Sequence, residues 1–146
     1  MNYADFIQSK AQTTEKAGWH IELDELHPDL FDFQKHIVQW SIGMGRSAVF
    51  ADCGLGKTRI QLDWAKHVAA KTGGRVLICA PLAVAEQTHR EGELCDVPVT
   101  VCRNMDDIDG AVNVTNYEML QHFDPSDFTG IVLDESSILK NYGGVY

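Results

Sequence analysis

The stretch FADCGLGKTR, from Phe50 to Arg59, places glycines, a lysine and a threonine between two different sequence patterns. An apolar run, SAVFA, precedes the glycines, and residues 57 to 71 have the apolar spacing of an amphipathic helix. Glycines let backbone N–H groups turn towards a bound anion, and the N-terminus of a helix adds positive potential. The stretch is therefore predicted to be a phosphate-binding loop between a strand and a helix, although Ala51 replaces the first glycine of the usual pattern.

The rest of the chain continues this alternation. The short apolar runs RVLICA, VPVTV, AVNVT and GIVLDE are separated by segments with helical or turn-like patterns. Such runs are typical of parallel strands that are covered on both faces. We therefore predict an α/β fold with three layers and a parallel central sheet.

Two further helices are predicted before the loop. The first runs from residue 2 to about residue 16, and the second ends near Gly43 to Gly45. Apolar residues recur at steps of three and four in the second helix, which predicts one buried face. Its members are Leu30, Phe33, Ile37, Trp40 and Met44.

The predicted loop assigns roles to four residues. Gly54 and Gly56 let the backbone surround the phosphates, Lys57 reaches the β- and γ-phosphates, and Thr58 is a ligand of Mg²⁺. The cofactors predicted from this pattern are ATP and Mg²⁺.

A second motif, GIVLDESS, places two acidic residues at the end of a predicted strand. In open α/β sheets, ligands bind at the carboxyl ends of the strands. Asp134 is predicted to hold Mg²⁺ through water, and Glu135 to orient or deprotonate the attacking water. The predicted catalytic set is therefore Lys57, Asp134 and Glu135.

With these motifs the sequence resembles the superfamily-two DEAD/DEAH-like helicases and translocases, especially ATPases of the Swi/Snf type. LFDFQKHIVQW, from Leu30 to Trp40, is similar to the family's Q motif, and APLAVAEQTHRE resembles its motif Ia. VTNYEML, from Val114 to Leu120, resembles the stretch that follows, and LDESSILKN resembles motif II, with Ser136 and Ser137 in place of Ala-His.

The resemblance implies a RecA-like P-loop NTPase domain, incomplete at its C-terminus, over residues 30–146, with residues 1–29 as an N-terminal helix and connecting segment. It implies that Gln34 reads the adenine edge. Phe33 either lies beside the base or packs in the core, and Trp19 either stacks on adenine or packs under the first helix. The family's motif III, second RecA-like domain and arginine finger are absent from this sequence. We therefore expect an ATP-binding first half of a DNA translocase, with little turnover alone.

Charge suggests where partners bind. The chain of 146 residues has a net charge of -9, but residues 35 to 103 carry nine basic against six acidic residues. Any DNA contact, with duplex DNA as the form that the family implies, is expected in this middle third. The acidic ends and an exposed sheet edge instead suit a protein partner.

The alternative function is therefore a truncated, helicase-derived binding or inhibitory protein of a phage or mobile element, which docks on a host nucleic-acid defence complex. The N-terminal sequence MNYADFIQSKAQ lacks the layout of a signal peptide, and no apolar run is long enough to span a membrane. A cytoplasmic protein without membrane contact is expected.

Overall fold

The computed structural model describes residues 2–10, 16–51 and 56–135, without the side chains of residues 9 and 10. Within these ranges the chain forms four α-helices, four β-strands and several short 3₁₀ turns. The helices are α1 (Tyr3–Lys10), α2 (Asp32–Met44), α3 (Lys57–Thr72) and α4 (Leu82–Leu94). The strands are β1 (Val76–Ala80), β2 (Val99–Val101), β3 (Val112–Asn116) and β4 (Gly130–Leu133).

The strands form one sheet in the order β2-β3-β1-β4, and every neighbouring pair is parallel. Val76 of the central strand β1 pairs with Val112 on one side and with Gly130 on the other. All five residues of β1 are buried, as expected for a parallel strand covered on both faces. The predicted α/β class with a parallel central sheet is confirmed.

Alternate residues of β1 enter different clusters because successive side chains of a strand point to opposite faces. Val76 and Ile78 pack with residues of α3 and α4, among them Leu62 and Ala85. Leu77 and Cys79 pack on the other face with Cys102, Tyr117, Phe123 and Phe128, which belong to the 3₁₀ turns and the loops around them. The sheet thus lies between a layer of helices and a layer of short turns.

The buried face of α2 differs from the predicted one. Gln34, Val38, Ser41 and Ile42 are its buried residues, whereas Phe33 and Trp40 are 44% and 50% exposed. Two of the four buried residues are polar. The apolar periodicity of the sequence does not detect polar residues, so it predicted a face of α2 that lies next to the buried one. Trp19 is half-buried and packs against the core clusters that contain Leu62 and Val38.

The segment before the loop also differs from its prediction. The run SAVFA forms no strand, and Val49 and Phe50 are exposed. The apolar run is not hydrogen-bonded into the sheet; instead, with β4 and α3, it lines a cleft.

Other predicted elements are close to those observed. The first helix is described from Tyr3 to Lys10, and residues 11–15 lie outside the described residues. Helix α2 ends at Met44 with Gly45 as its cap, as predicted. In the part of the chain that is described, no helix has the length and apolarity needed to cross a membrane.

Candidate functional site

Helix α3 begins directly after Gly56, which has a left-handed backbone with φ 71° and ψ 39°. Glycine adopts this conformation without the penalty that a Cβ imposes. Lys57 and Thr58 occupy the first turn and are half-buried. The first N–H groups of a helix have no partner within the helix, so they are donors for an anion. Gly54 lies outside the described residues.

The acidic turn, Asp134 and Glu135, follows β4 at the carboxyl edge of the sheet. The Asp134 amide donates a hydrogen bond of 2.8 Å to the carbonyl of Cys79 in β1. The Tyr117 hydroxyl donates to the Asp134 carbonyl at 2.5 Å. Asp134 is buried, while Glu135 is exposed and has a φ of 53°, which is unusual for a residue other than glycine. The turn is therefore held through its backbone at Asp134.

An ion pair joins the acidic turn to the start of α3. The Nζ atom of Lys57 lies 3.3 Å from Oε1 of Glu135, across 78 residues of sequence. The two side chains are 31% and 49% exposed, so the pair contributes little to stability. The ion pair matters because of where it lies: it brings the predicted phosphate-binding lysine next to the predicted acidic motif.

Gln34 packs against the same glycine from the side of α2. Its side chain is buried, and its Oε1 accepts a hydrogen bond of 2.9 Å from the Phe31 amide. A Cβ placed on Gly56 would come within 2.2 Å of the Gln34 Nε2 atom. The carboxamide therefore lies directly beside the residue that starts α3.

Two phenylalanines near Gln34 form an exposed aromatic pair. The rings of Phe31 and Phe33 are stacked with centroids 6.1 Å apart and an angle of 11° between their planes. Because Phe33 is exposed, the core-packing alternative for this residue is wrong. Phe31 was not selected from the sequence, although it precedes Gln34 by only three positions.

A cleft of 1100 Å³ extends from this site along α3 and β4. Lys57, Asp134 and Glu135 line it, and so do apolar residues such as Trp64 and Val132. Sites for small molecules are commonly clefts of about 300–1,000 Å³ with mostly apolar walls and a few polar groups. The cleft is therefore large enough for a nucleotide.

Metal binding would rely on few protein ligands. Among the described residues there is no group of three His, Cys, Asp or Glu side chains that could hold a metal ion. Mg²⁺ commonly keeps several waters and takes only one or two carboxylates together with substrate phosphates. Asp134, at the cleft, and Thr58, in the first turn of α3, are suitable oxygen ligands of this kind.

Two comparisons with known proteins do not assign the chain to a family. No protein-family model matches the chain, and no curated protein is similar to it at a significant level.

Proposed function

We propose that the chain binds ATP with Mg²⁺ at the start of α3 and acts as the first RecA-like domain of a helicase-like DNA translocase. The observation that carries this proposal is the contact between Lys57 and Glu135, 3.3 Å long. It joins a glycine-bounded helix N-terminus to an acidic turn at the carboxyl edge of a parallel sheet, which is where α/β folds bind phosphate ligands.

Different residues of the site would bind different parts of Mg·ATP. The first-turn N–H groups of α3 and the Lys57 ammonium supply donors and positive charge for the phosphates. Asp134 and Thr58 supply oxygen ligands for Mg²⁺, which neutralises charge on the phosphates when bound. Lys57 exchanges Glu135 for a phosphate, which frees the Glu135 carboxylate to accept a proton from water or to orient it.

Hydrolysis is expected to be slow in the chain of 146 residues. The resemblance to superfamily-two ATPases implies that turnover uses an arginine from a second domain, and such a residue contributes about 10³–10⁵ in rate. Specific DNA binding is part of the proposal only through this resemblance. Direct binding of duplex DNA to the chain, followed by fluorescence anisotropy, tests it, whereas steady DNA-stimulated hydrolysis by the chain alone would contradict the expectation of slow turnover.

The binding test is calorimetric titration of the wild-type chain and two lysine variants with Mg·ATP. Lys57→Ala removes a charge-assisted contact with phosphate and should weaken binding at least about tenfold. Lys66→Ala is the matched control, because Lys66 is an exposed lysine on the same helix that does not line the cleft. Equal affinity of the two variants would contradict the proposed role of Lys57.

A second candidate function, docking on a protein of a nucleic-acid defence complex, is favoured by the outer edge of the sheet. Within the described residues β4 pairs only with β1, and Ile131 and Leu133 are 42% and 44% exposed. An open strand edge is a template for pairing with another chain. If Ile131→Lys abolishes binding to the partner protein while Lys57→Ala preserves it, docking is the function and the phosphate loop has only a structural role.

A further inference from the structure

Tyr117 connects two strands that are not neighbours in the sheet. It follows β3, whereas the acidic turn follows β4, and β1 lies between these strands. Strands separated by one other strand are about 10 Å apart, since adjacent strands lie about 4.8 Å apart. The Tyr117 hydroxyl nevertheless reaches the Asp134 carbonyl. A serine or threonine at this position is too short to span β1.

The acceptor of this hydrogen bond belongs to the peptide group that joins Asp134 to Glu135. Its orientation therefore fixes the backbone on both sides of that peptide. The Asp134 amide is fixed independently, by its bond of 2.8 Å to the carbonyl of Cys79. The turn is thus anchored to β1 by one bond and to the end of β3 by the other.

Glu135 needs such an anchor because its φ of 53° is unfavourable for a residue with a Cβ. Conformations of this kind persist where the surrounding structure determines them, and they are common at functional sites. In this conformation the Glu135 carboxylate lies 3.3 Å from the Lys57 ammonium. The position of the carboxylate thus depends on the peptide that Tyr117 holds.

We infer that Tyr117 is a positioning residue, which holds the Asp134–Glu135 peptide so that the Glu135 carboxylate lies against Lys57 and Asp134 stays at the cleft. The inference rests on the proposed nucleotide site. The tyrosine hydroxyl is suited to this role because Tyr117 is only 2% exposed.

The first arm of the test needs no nucleotide. In wild-type NMR spectra the Tyr117 hydroxyl proton should be protected from exchange and close to the Glu135 amide. Tyr117→Phe removes only the hydroxyl, and the Glu135 amide should then exchange about fivefold faster or more, while the Asp134 amide, which is bonded to the Cys79 carbonyl, should change less. Thr88→Val is the matched control, since it removes a buried hydroxyl that bonds the Val84 carbonyl within α4. An unprotected hydroxyl proton, or unchanged exchange in Tyr117→Phe, overturns the inference.

The second arm compares ATP binding with and without Mg²⁺. Tyr117→Phe should weaken Mg·ATP binding about fivefold without weakening metal-free ATP binding, since a displaced turn leaves the Lys57 ammonium and the N–H groups of α3 available to the phosphates. If Tyr117 has a merely structural role, Tyr117→Phe should lose the same affinity for Mg·ATP and for metal-free ATP, as is expected of any destabilised variant. If wild-type protein binds neither form, the proposed function fails, while the exchange arm still decides the role of Tyr117.

Discussion

Gly56→Ala tests how closely Gln34 is packed against the start of α3. The substitution has two separate costs. A residue with a Cβ at a φ of 71° costs about 1–2 kcal/mol relative to glycine. The new Cβ also comes within 2.2 Å of the Gln34 Nε2 atom, so the Gln34 side chain must move.

Moving Gln34 breaks its hydrogen bond with the Phe31 amide, which is 2.9 Å long. A polar group left without its partner costs about 1–3 kcal/mol. Gly56→Ala should therefore lower the free energy of unfolding by about 2–5 kcal/mol, with the upper part of that range due to Gln34.

Urea denaturation followed by circular dichroism measures this loss, with Gly73→Ala as the control. Gly73 has a similar φ of 67°, but a Cβ there has nothing within 4 Å, so only the backbone cost applies. In a Gln34→Ala background, Gly56→Ala should cost no more than Gly73→Ala. If Gly56→Ala and Gly73→Ala are equally destabilising in the wild-type background, the reasoning about Gln34 is refuted.

Two further predictions concern a pair of glycines and a pair of cysteines. A Cβ on Gly18 would lie 1.6 Å from the Ile42 carbonyl oxygen, so Gly18→Ala should destabilise the chain by about 3 kcal/mol. A Cβ on Gly43 would have its nearest neighbour at 3.9 Å, so Gly43→Ala should be neutral or stabilising, and the urea midpoints of the two variants distinguish these outcomes. Burial raises the pKa of the Cys79 thiol to about 12 and that of the Cys102 thiol to about 11, from an ordinary 9.0. Because these pKa values are higher in the folded state, the contribution of the two thiols to stability should be constant below about pH 9 and be lost as the pH rises towards 12. A urea midpoint that is unchanged from pH 8 to 11 would contradict this.

The sequence predicted the parts of the fold whose patterns depend only on burial. The strand RVLICA is buried on both faces, so an uninterrupted apolar run was enough to find β1. Helix α3, predicted over residues 57 to 71, was likewise found within a residue of its observed bounds. The two halves of the site were also predictable, because strand ends and helix starts meet at one edge of a parallel sheet.

Other features depend on contacts that no local pattern records. The buried face of α2 contains Gln34 and Ser41, and a search for apolar periodicity passes over polar residues that are buried by their neighbours. The run SAVFA has the composition of a strand, yet strand formation also needs a neighbour at hydrogen-bonding distance. Tyr117 was visible in the sequence only as part of a family-like stretch, since its contact with Asp134 crosses an intervening strand.

The most direct test of the proposed site is an NMR titration of ¹⁵N-labelled protein with Mg·ATP. The account predicts that the largest shifts occur at the amides of Gly56, Lys57 and Thr58, at Asp134 and Glu135, and at the side-chain carboxamide of Gln34. Amides on the exposed side of α4 should not move. Saturating Mg·ATP that leaves these signals unchanged, or shifts that centre on α4 instead, would contradict the account.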